Sequence, residues 1–274
     1  MSDNILVIGS TGKTGNRVFS RLQQNNVDVR PASRNSDIPF DWHDDASWIN
    51  ALEGISTVYI TFYPDIALPS SEAIIFNFAQ AAKKAGVKKA VLLSGRGEPE
   101  AVACENVIRN SGMAWTIVRS SFFMQNFSEG MWAGDIAAKE FVIPTVKAKE
   151  PFVDIDDIAD VVVETLTNSK HDGKVYEMTG PELLSFEEVI SKLSLALQSQ
   201  IHLKQVPIKE YRTILKEHQL PQDLIGLISY LLTEVMDGRN ESMKHDIELV
   251  LNRKPGSFDN YIQKTIQAGF WQTN

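Results

Sequence analysis

The sequence predicts an α/β protein, a doubly wound parallel sheet with a smaller C-terminal α/β lobe. Three observations carry that expectation. Short, continuous apolar runs alternate with amphipathic helical patterns through the first half of the chain. A glycine-rich turn joins the first apolar run to the first helical pattern. Across residues 119–145 the regular alternation fades, with no linker-like composition to mark a break.

Ile5–Ile8 is apolar throughout, as a strand buried on both faces requires. Lys13–Gln24 sets Val18, Phe19 and Leu22 on one helical face, and a second strand runs over Val27–Ser33. Asp45–Leu52 reads as a short helix and Thr57–Phe62 as a strand. A helix beginning at Ser70 carries Ile74, Ile75, Phe78 and Ala82 and stops at Gly86, a residue suited to a left-handed cap. Lys89–Leu93 is a strand, Glu98–Asn110 a helix ended by Ser111-Gly112, and Ala114–Val118 a further strand. Such alternation builds βαβ units, whose right-handed crossovers bring the strands' carboxyl ends to one edge, where ligands bind. The fold expected is therefore of Rossmann type. In the second half, strands are expected at Phe141–Ile143, Val175–Met178 and Ile201–Lys204. Asp154–Leu166 puts Ile155, Ile158, Ala159 and Val162 on one helical face, and Ser185–Leu197 opens with the capping-box spacing Ser185…Glu188. Leu220–Met236 is apolar enough for a buried helix. The division expected is a dinucleotide-binding body over residues 1–145 and a substrate or partner lobe over 146–274, parts of which rejoin the main sheet.

Composition excludes several functions. The chain has 274 residues, 43% of them hydrophobic and 23% charged, which is ordinary globular usage rather than disorder. Its 27 Lys and Arg against 35 Asp and Glu leave a formal charge of −8, which repels phosphate backbones and argues against nucleic-acid binding. The single cysteine, Cys104, excludes an internal disulfide framework and a cysteine-rich zinc site. No apolar run reaches membrane-spanning length, and Met1-Ser-Asp-Asn leads straight into a strand pattern. A cytoplasmic protein without a membrane partner is expected.

The sharpest motif is Gly9-Ser-Thr-Gly12-Lys-Thr-Gly15, a G-x-x-G-x-x-G loop between a buried strand and an amphipathic helix. Gly9 suits the tight turn, Gly12 the close approach of a phosphate, and Gly15 close helix–sheet packing. The amides of the helix N-terminus favour an anion at the same spot. Past the second strand, an NAD site carries Asp or Glu about twenty residues beyond the loop. Here stands Ala32-Ser33-Arg34, with Arg34 nineteen positions after Gly15. A guanidinium beside a hydroxyl suits a 2′-phosphate, so NADP(H) is preferred over NAD(H). The other reading of Arg34 is a solvated surface arginine. Asp41 and Trp42 follow where the chain can pass an adenine, although Asp41 equally suits the start of a turn. The expected cofactor-binding set is Gly9, Thr11, Gly12, Lys13, Thr14, Gly15, Ser33, Arg34, Asp41, Trp42 and Phe62.

These residues, with Val91-Leu-Leu-Ser94, Arg119-Ser-Ser-Phe-Phe-Met-Gln-Asn-Phe127, Pro151-Phe-Val-Asp-Ile-Asp-Asp-Ile-Ala159 and Tyr176-Glu-Met-Thr-Gly-Pro181, resemble the NmrA-like family over nearly the whole chain. That family is the atypical branch of the short-chain dehydrogenase/reductases. Ala32-Ser-Arg34, Phe40-Asp-Trp42 and the Phe-Met-Gln-Asn-Phe stretch also look like the festuclavine and agroclavine dehydrogenases. The resemblance implies reduction of iminium, quinone, azo or triphenylmethane acceptors, or dinucleotide sensing without turnover. Ordinary short-chain dehydrogenases carry Tyr-x-x-x-Lys, and this sequence contains none. If Glu105 matches the glutamate that follows that motif, the lysine place is Ala101 and the tyrosine place Gly97, neither of which moves a proton. Ser94 matches the family's serine, with a hydrogen-bonding role or a purely structural one.

General acid help is typically worth about 10²–10⁴-fold. Acceptors that do not build up a localised alkoxide miss it least, which favours quinone, azo, iminium or conjugated substrates. The aromatic cluster Phe122, Phe123, Phe127 and Trp132, with Met124, Met131 and the polar Asn126, is the expected substrate wall, though helical spacing suits a core equally. Tyr63, after the third strand, is expected near the nicotinamide end as a stacking or hydrogen-bonding group. The alternative function is a non-catalytic NADP(H) sensor acting through a protein partner. No metal site is expected, since the five histidines show no ligand spacing. The Asp154, Asp156, Asp157 and Asp160 series lacks the glycine and glutamate of a calcium loop and reads as an acidic helix start.

Overall fold

The computed structural model describes residues 4–271, so Met1–Asp3, read above as leading into the first strand, lie outside the described residues. In chain order the elements are β1 (Ile5–Ile8), α1 (Lys13–Gln24), β2 (Val29–Ala32), α2 (Asp45–Leu52), β3 (Thr57–Ile60), α3 (Ser71–Ala85), β4 (Lys89–Gly95), α4 (Pro99–Arg109) and β5 (Ala114–Ser120). Then follow α5 (Ala133–Ala138), β6 (Glu140–Pro144), α6 (Ile155–Thr167), β7 (Lys174–Met178), α7 (Phe186–Ala196), β8 (His202–Val206), α8 (Ile208–Glu217), α9 (Gln222–Tyr230), α10 (Asp246–Leu251) and α11 (Phe258–Gln267).

The chain forms two compact units. The first comprises residues 1–120, 155–178 and 245–254. Its six strands run in the order β2-β1-β3-β4-β5-β7, every neighbouring pair parallel. β1 and β3 are buried along their whole length, β1 as an unbroken apolar run and β3 with a buried Thr57 at its start. α1 packs with α6, while α2, α3 and α4 pack in series, so helices cover the sheet as a doubly wound fold requires. The order of winding reverses at β1, with β2 laid to one side and β3 to the other. That reversal is the switch point outside which α/β sheets bind ligands. Phe40, Trp42, Trp48, Phe62 and Phe78 share the buried core of this unit.

The second unit comprises residues 121–154, 179–244 and 255–274. β6 and β8 form a two-stranded parallel sheet of its own. Phe127, Trp132, Phe141, Phe152, Phe186 and Phe258 lie in its core. The Ser185 side chain caps the Glu188 amide at the start of α7 and the Glu188 carboxylate reaches back, the expected capping box.

Some expectations shift. The second strand starts at Val29 rather than Val27, because the Val27 amide still bonds back to the Leu22 carbonyl at 3.0 Å behind a left-handed Asn26. β4 and β5 run on through Ser94–Gly95 and Arg119–Ser120, polar positions that keep their register. The helix expected over Leu220–Met236 runs from Gln222 to Val235, with α9 widening into a π-helical turn at Leu231–Val235. Among the described residues no helix is long and apolar enough to cross a membrane.

Candidate functional site

The glycine loop leaves β1 at the switch point and is tied to the end of β2. The Gly9 and Ser10 amides both donate to the Ala32 carbonyl, at 2.8 and 3.2 Å. Gly9 has φ +70, a left-handed conformation open to glycine. A Cβ at Gly15 would stand 2.1 Å from the Gly9 carbonyl oxygen, so the loop closes directly onto α1. Gly12 is the N-cap of α1 and supplies no capping side chain, and the first turn holds no acid. First-turn amides have no intrahelical acceptor, so this end offers N–H groups and a positive dipole to an anion. Thr11 and Gly12 are exposed, Lys13 is half-buried, and Thr14 is buried beside Tyr59, whose phenol burial pushes well above its ordinary value. This cradle of glycines and first-turn amides, without a capping side chain or an acid, fits the diphosphate of a dinucleotide.

At the end of β2, Ser33 is buried. Its hydroxyl lies 2.9 Å from that of Ser36 and accepts the Asn35 amide at 3.3 Å. Arg34 is exposed, no described carboxylate pairs with it, and its guanidinium carbon lies 5.5 Å over the centre of the Tyr63 ring. Trp42 is buried, donating its indole N–H to the Thr61 carbonyl at 3.1 Å and packing 5.0 Å from the buried Phe62. Asp41 is half-buried. Its carboxylate accepts the His43 amide at 3.0 Å and its carbonyl the Trp48 indole N–H at 2.7 Å, so it closes the turn into α2.

Ser94, buried near the carboxyl end of β4, donates its hydroxyl to Glu105 at 2.8 Å. The fully buried Glu105 carboxylate also receives Arg119 through two bonds of 2.7 Å and Arg109 at 3.1 Å. Glu177 on β7 extends the network to Arg119 at 3.6 Å and to the buried Arg96 at 3.3 Å. The Glu105 hydrogen bond is the largest cause that raises the Arg119 pKa. Neither Arg96 nor Glu177 is among the residues expected from sequence, and Glu105 is expected only as the neighbour of the vacant relay positions. The signal was there: ionic residues ending buried strands need partners. Gly97 lies in the following loop with φ +74, and Ala101 is buried on α4.

In the second unit, Phe127 is the hub of the core, with ring centres 4.7 Å from Trp132, 5.5 Å from Phe152 and 5.6 Å from Phe258. Trp132 is equally buried. Phe122, Phe123 and Asn126 are half-buried, Phe122 lying parallel to Trp132 at 6.4 Å. Half-exposed faces therefore remain at Phe122 and Phe123, not at Phe127 or Trp132. Among the described residues no three His, Cys, Asp or Glu side chains converge as metal ligands.

The sequence profile of the NmrA-like family matches residues 1–262. Prestalk A differentiation protein A of Dictyostelium discoideum is 26% identical over 279 residues, 96% of this chain and 92% of that protein. Agroclavine dehydrogenase of Claviceps fusiformis is 27% identical over 281 residues, 94% of this chain and 96% of that one. NAD(P)H azoreductase of Xenophilus azovorans is 29% identical over 249 residues, covering 83% and 85% of the two chains. Triphenylmethane reductase of Citrobacter sp., solved with NADP(H), shares the fold with a TM-score of 0.82 at 17% identity, over 95% of this chain and 99% of that one.

Proposed function

The chain belongs to the NmrA-like family, and from that membership we propose that it is an NADPH-dependent reductase of small aromatic or conjugated acceptors. It is an oxidoreductase akin to relatives named dehydrogenases and reductases. One observation carries the cofactor reading: a glycine cradle at the switch point beside an exposed, carboxylate-free Arg34. The first-turn amides of Thr14 and Gly15 hold the diphosphate, and Arg34 holds the 2′-phosphate through charge-assisted hydrogen bonds. A bound reduced nicotinamide supplies a hydride. The chain's remaining task is to bind and orient the acceptor and exclude water.

Acceptor class follows from what the chain lacks. With Glu105 matched to the glutamate that follows the relay motif, Gly97 and Ala101 take the relay's places, and the Ser94 hydroxyl already donates to Glu105. Ser94 thus offers a lone pair and an orienting dipole rather than a proton. A simple ketone needs the proton as its alkoxide forms. A quinone or azo group delocalises the incoming charge, and an iminium is neutralised by it. The half-exposed rings of Phe122 and Phe123, with Asn126, are proposed to meet such flat acceptors.

The same occupied Ser94 favours a second reading, an NADP(H) sensor acting through a protein partner. Stopped-flow oxidation of 4-deuterated NADPH separates the two. The reductase predicts a primary isotope effect and rates with quinones, azo compounds or iminium ions exceeding those with matched ketones by about 10²–10⁴-fold. Tight NADPH binding with no transfer to any acceptor class would establish the sensor instead.

A further inference from the structure

Tyr63, expected from the sequence near the nicotinamide end of the cofactor, has the Arg34 guanidinium over its ring. We propose that Tyr63 is a positioning residue for cofactor choice: its ring holds the Arg34 guanidinium pre-aimed at the ribose 2′-phosphate and so sets the preference for NADPH over NADH. This rests on the reading of Arg34 as the 2′-phosphate ligand.

The topology brings the pair together. β2 and β3 both flank β1, so the residues that follow them straddle the glycine loop springing from β1. Contact with that loop is direct, since a Cβ at Gly9 would meet the Thr61 methyl at 2.7 Å. Tyr63 stands on fixed ground. Thr61 accepts the Trp42 indole N–H, Phe62 packs on Trp42, and the Asp65 carboxylate accepts the Ala67 amide at 2.8 Å. With Phe62 turned inward, Tyr63 faces out and is 66% exposed, a large ring left in water with a guanidinium over it.

Stacking and phosphate binding use different parts of an arginine. The ring attracts the cation through the guanidinium's flat face, while the five N–H donors lie in its plane and point outward. A lone exposed arginine would have to give up its rotamer freedom on binding phosphate. One already held against a ring loses less.

The test is calorimetric titration of NADPH and NADH into the intact protein and its Tyr63→Leu, Tyr63→Phe, Arg34→Ala and Arg34→Ala/Tyr63→Leu variants. Because Tyr63 is exposed, these changes leave the core untouched, which circular dichroism verifies. Tyr63→Leu is expected to weaken NADPH roughly two- to fivefold, the equivalent of an exposed cation–π contact, with NADH unchanged. Tyr63→Phe should retain full affinity, and Tyr63→Leu should add nothing once Arg34 is gone. Equal weakening of both cofactors, or additivity with Arg34→Ala, overturns the proposal, as does a silent Tyr63→Leu. If Arg34→Ala itself leaves the NADPH-to-NADH ratio intact, the underlying cofactor reading falls as well.

Discussion

Gly12 and Gly15 stand three residues apart in one loop, yet a side chain at each meets the same obstacle at very different range. At Gly15 the added carbon would lie 2.1 Å from the Gly9 carbonyl oxygen, a backbone atom that cannot swing aside. At Gly12 the nearest atom is the same oxygen at 3.2 Å, and φ is −84, which any residue adopts. Gly15→Ala is therefore expected to lower the unfolding midpoint and abolish dinucleotide binding together. Gly12→Val is expected to keep the fold and lose binding, because its branches fill the space a diphosphate takes. Circular dichroism melts paired with NADPH fluorescence titration distinguish the two patterns. If Gly12→Val still binds NADPH with unaltered affinity, the anion sits elsewhere.

α4 earns its place in the first unit by delivering Glu105 beneath β4 and β5. Removing that carboxylate leaves Arg119 only the 3.6 Å contact with Glu177 and takes away the carboxylate that Arg109 pairs with, and breaking a buried pair costs about 3–5 kcal/mol. Both arginines retain some solvent access, so Glu105→Ala should fall near the lower end, read as a shift of the urea midpoint. Replacing Glu105 and Arg119 together by Met should recover much of it. The network was hard to read from sequence for a plain reason. Arg119 and Glu177 are cross-strand neighbours of β5 and β7, and only the sheet register joins them. Elements with strong local signals were legible to the residue. α2 spans Asp45–Leu52 as its pattern requires, because Asp44 caps the Ala46 amide, and Gly86 ends α3 in the left-handed conformation. α8, which buries only Tyr211, presents too thin an apolar stripe to be recognised. The glycine loop and Arg34 were legible because backbone conformation and charge act locally. The partner of Arg34 was not, since Tyr63 reaches it across an intervening strand.

For the molecule as a whole, acid sensitivity starts with a buried histidine. His171 hydrogen-bonds the Tyr176 hydroxyl at 2.7 Å, and burial holds its pKa below the ordinary 6.5 despite the Glu164 carboxylate nearby. Below pH 6.5 the unfolded chain takes up a proton there that the folded chain refuses, so stability declines as pH falls from that point. The Glu164 carboxyl, lowered mainly by its hydrogen bond to Lys170, adds a loss only deeper in the acid range. At the other end, burial pushes the Tyr211 phenol up to about 12 and Tyr59 and Tyr261 higher still, so stability declines again above pH 10. Urea midpoints measured from pH 4 to 11 should trace this plateau, and His171→Gln should move the acid shoulder down. A flat acid limb through pH 5.5 in the unmodified protein would remove the assignment. The discontinuous make-up of the first unit has a consequence for biosynthesis. β5 leaves the ribosome long before β7, the strand that covers its outer edge. For that interval a nascent chain carries an open, apolar sheet margin, the kind of surface that chaperones shield and that neighbouring polysomal chains can zip onto.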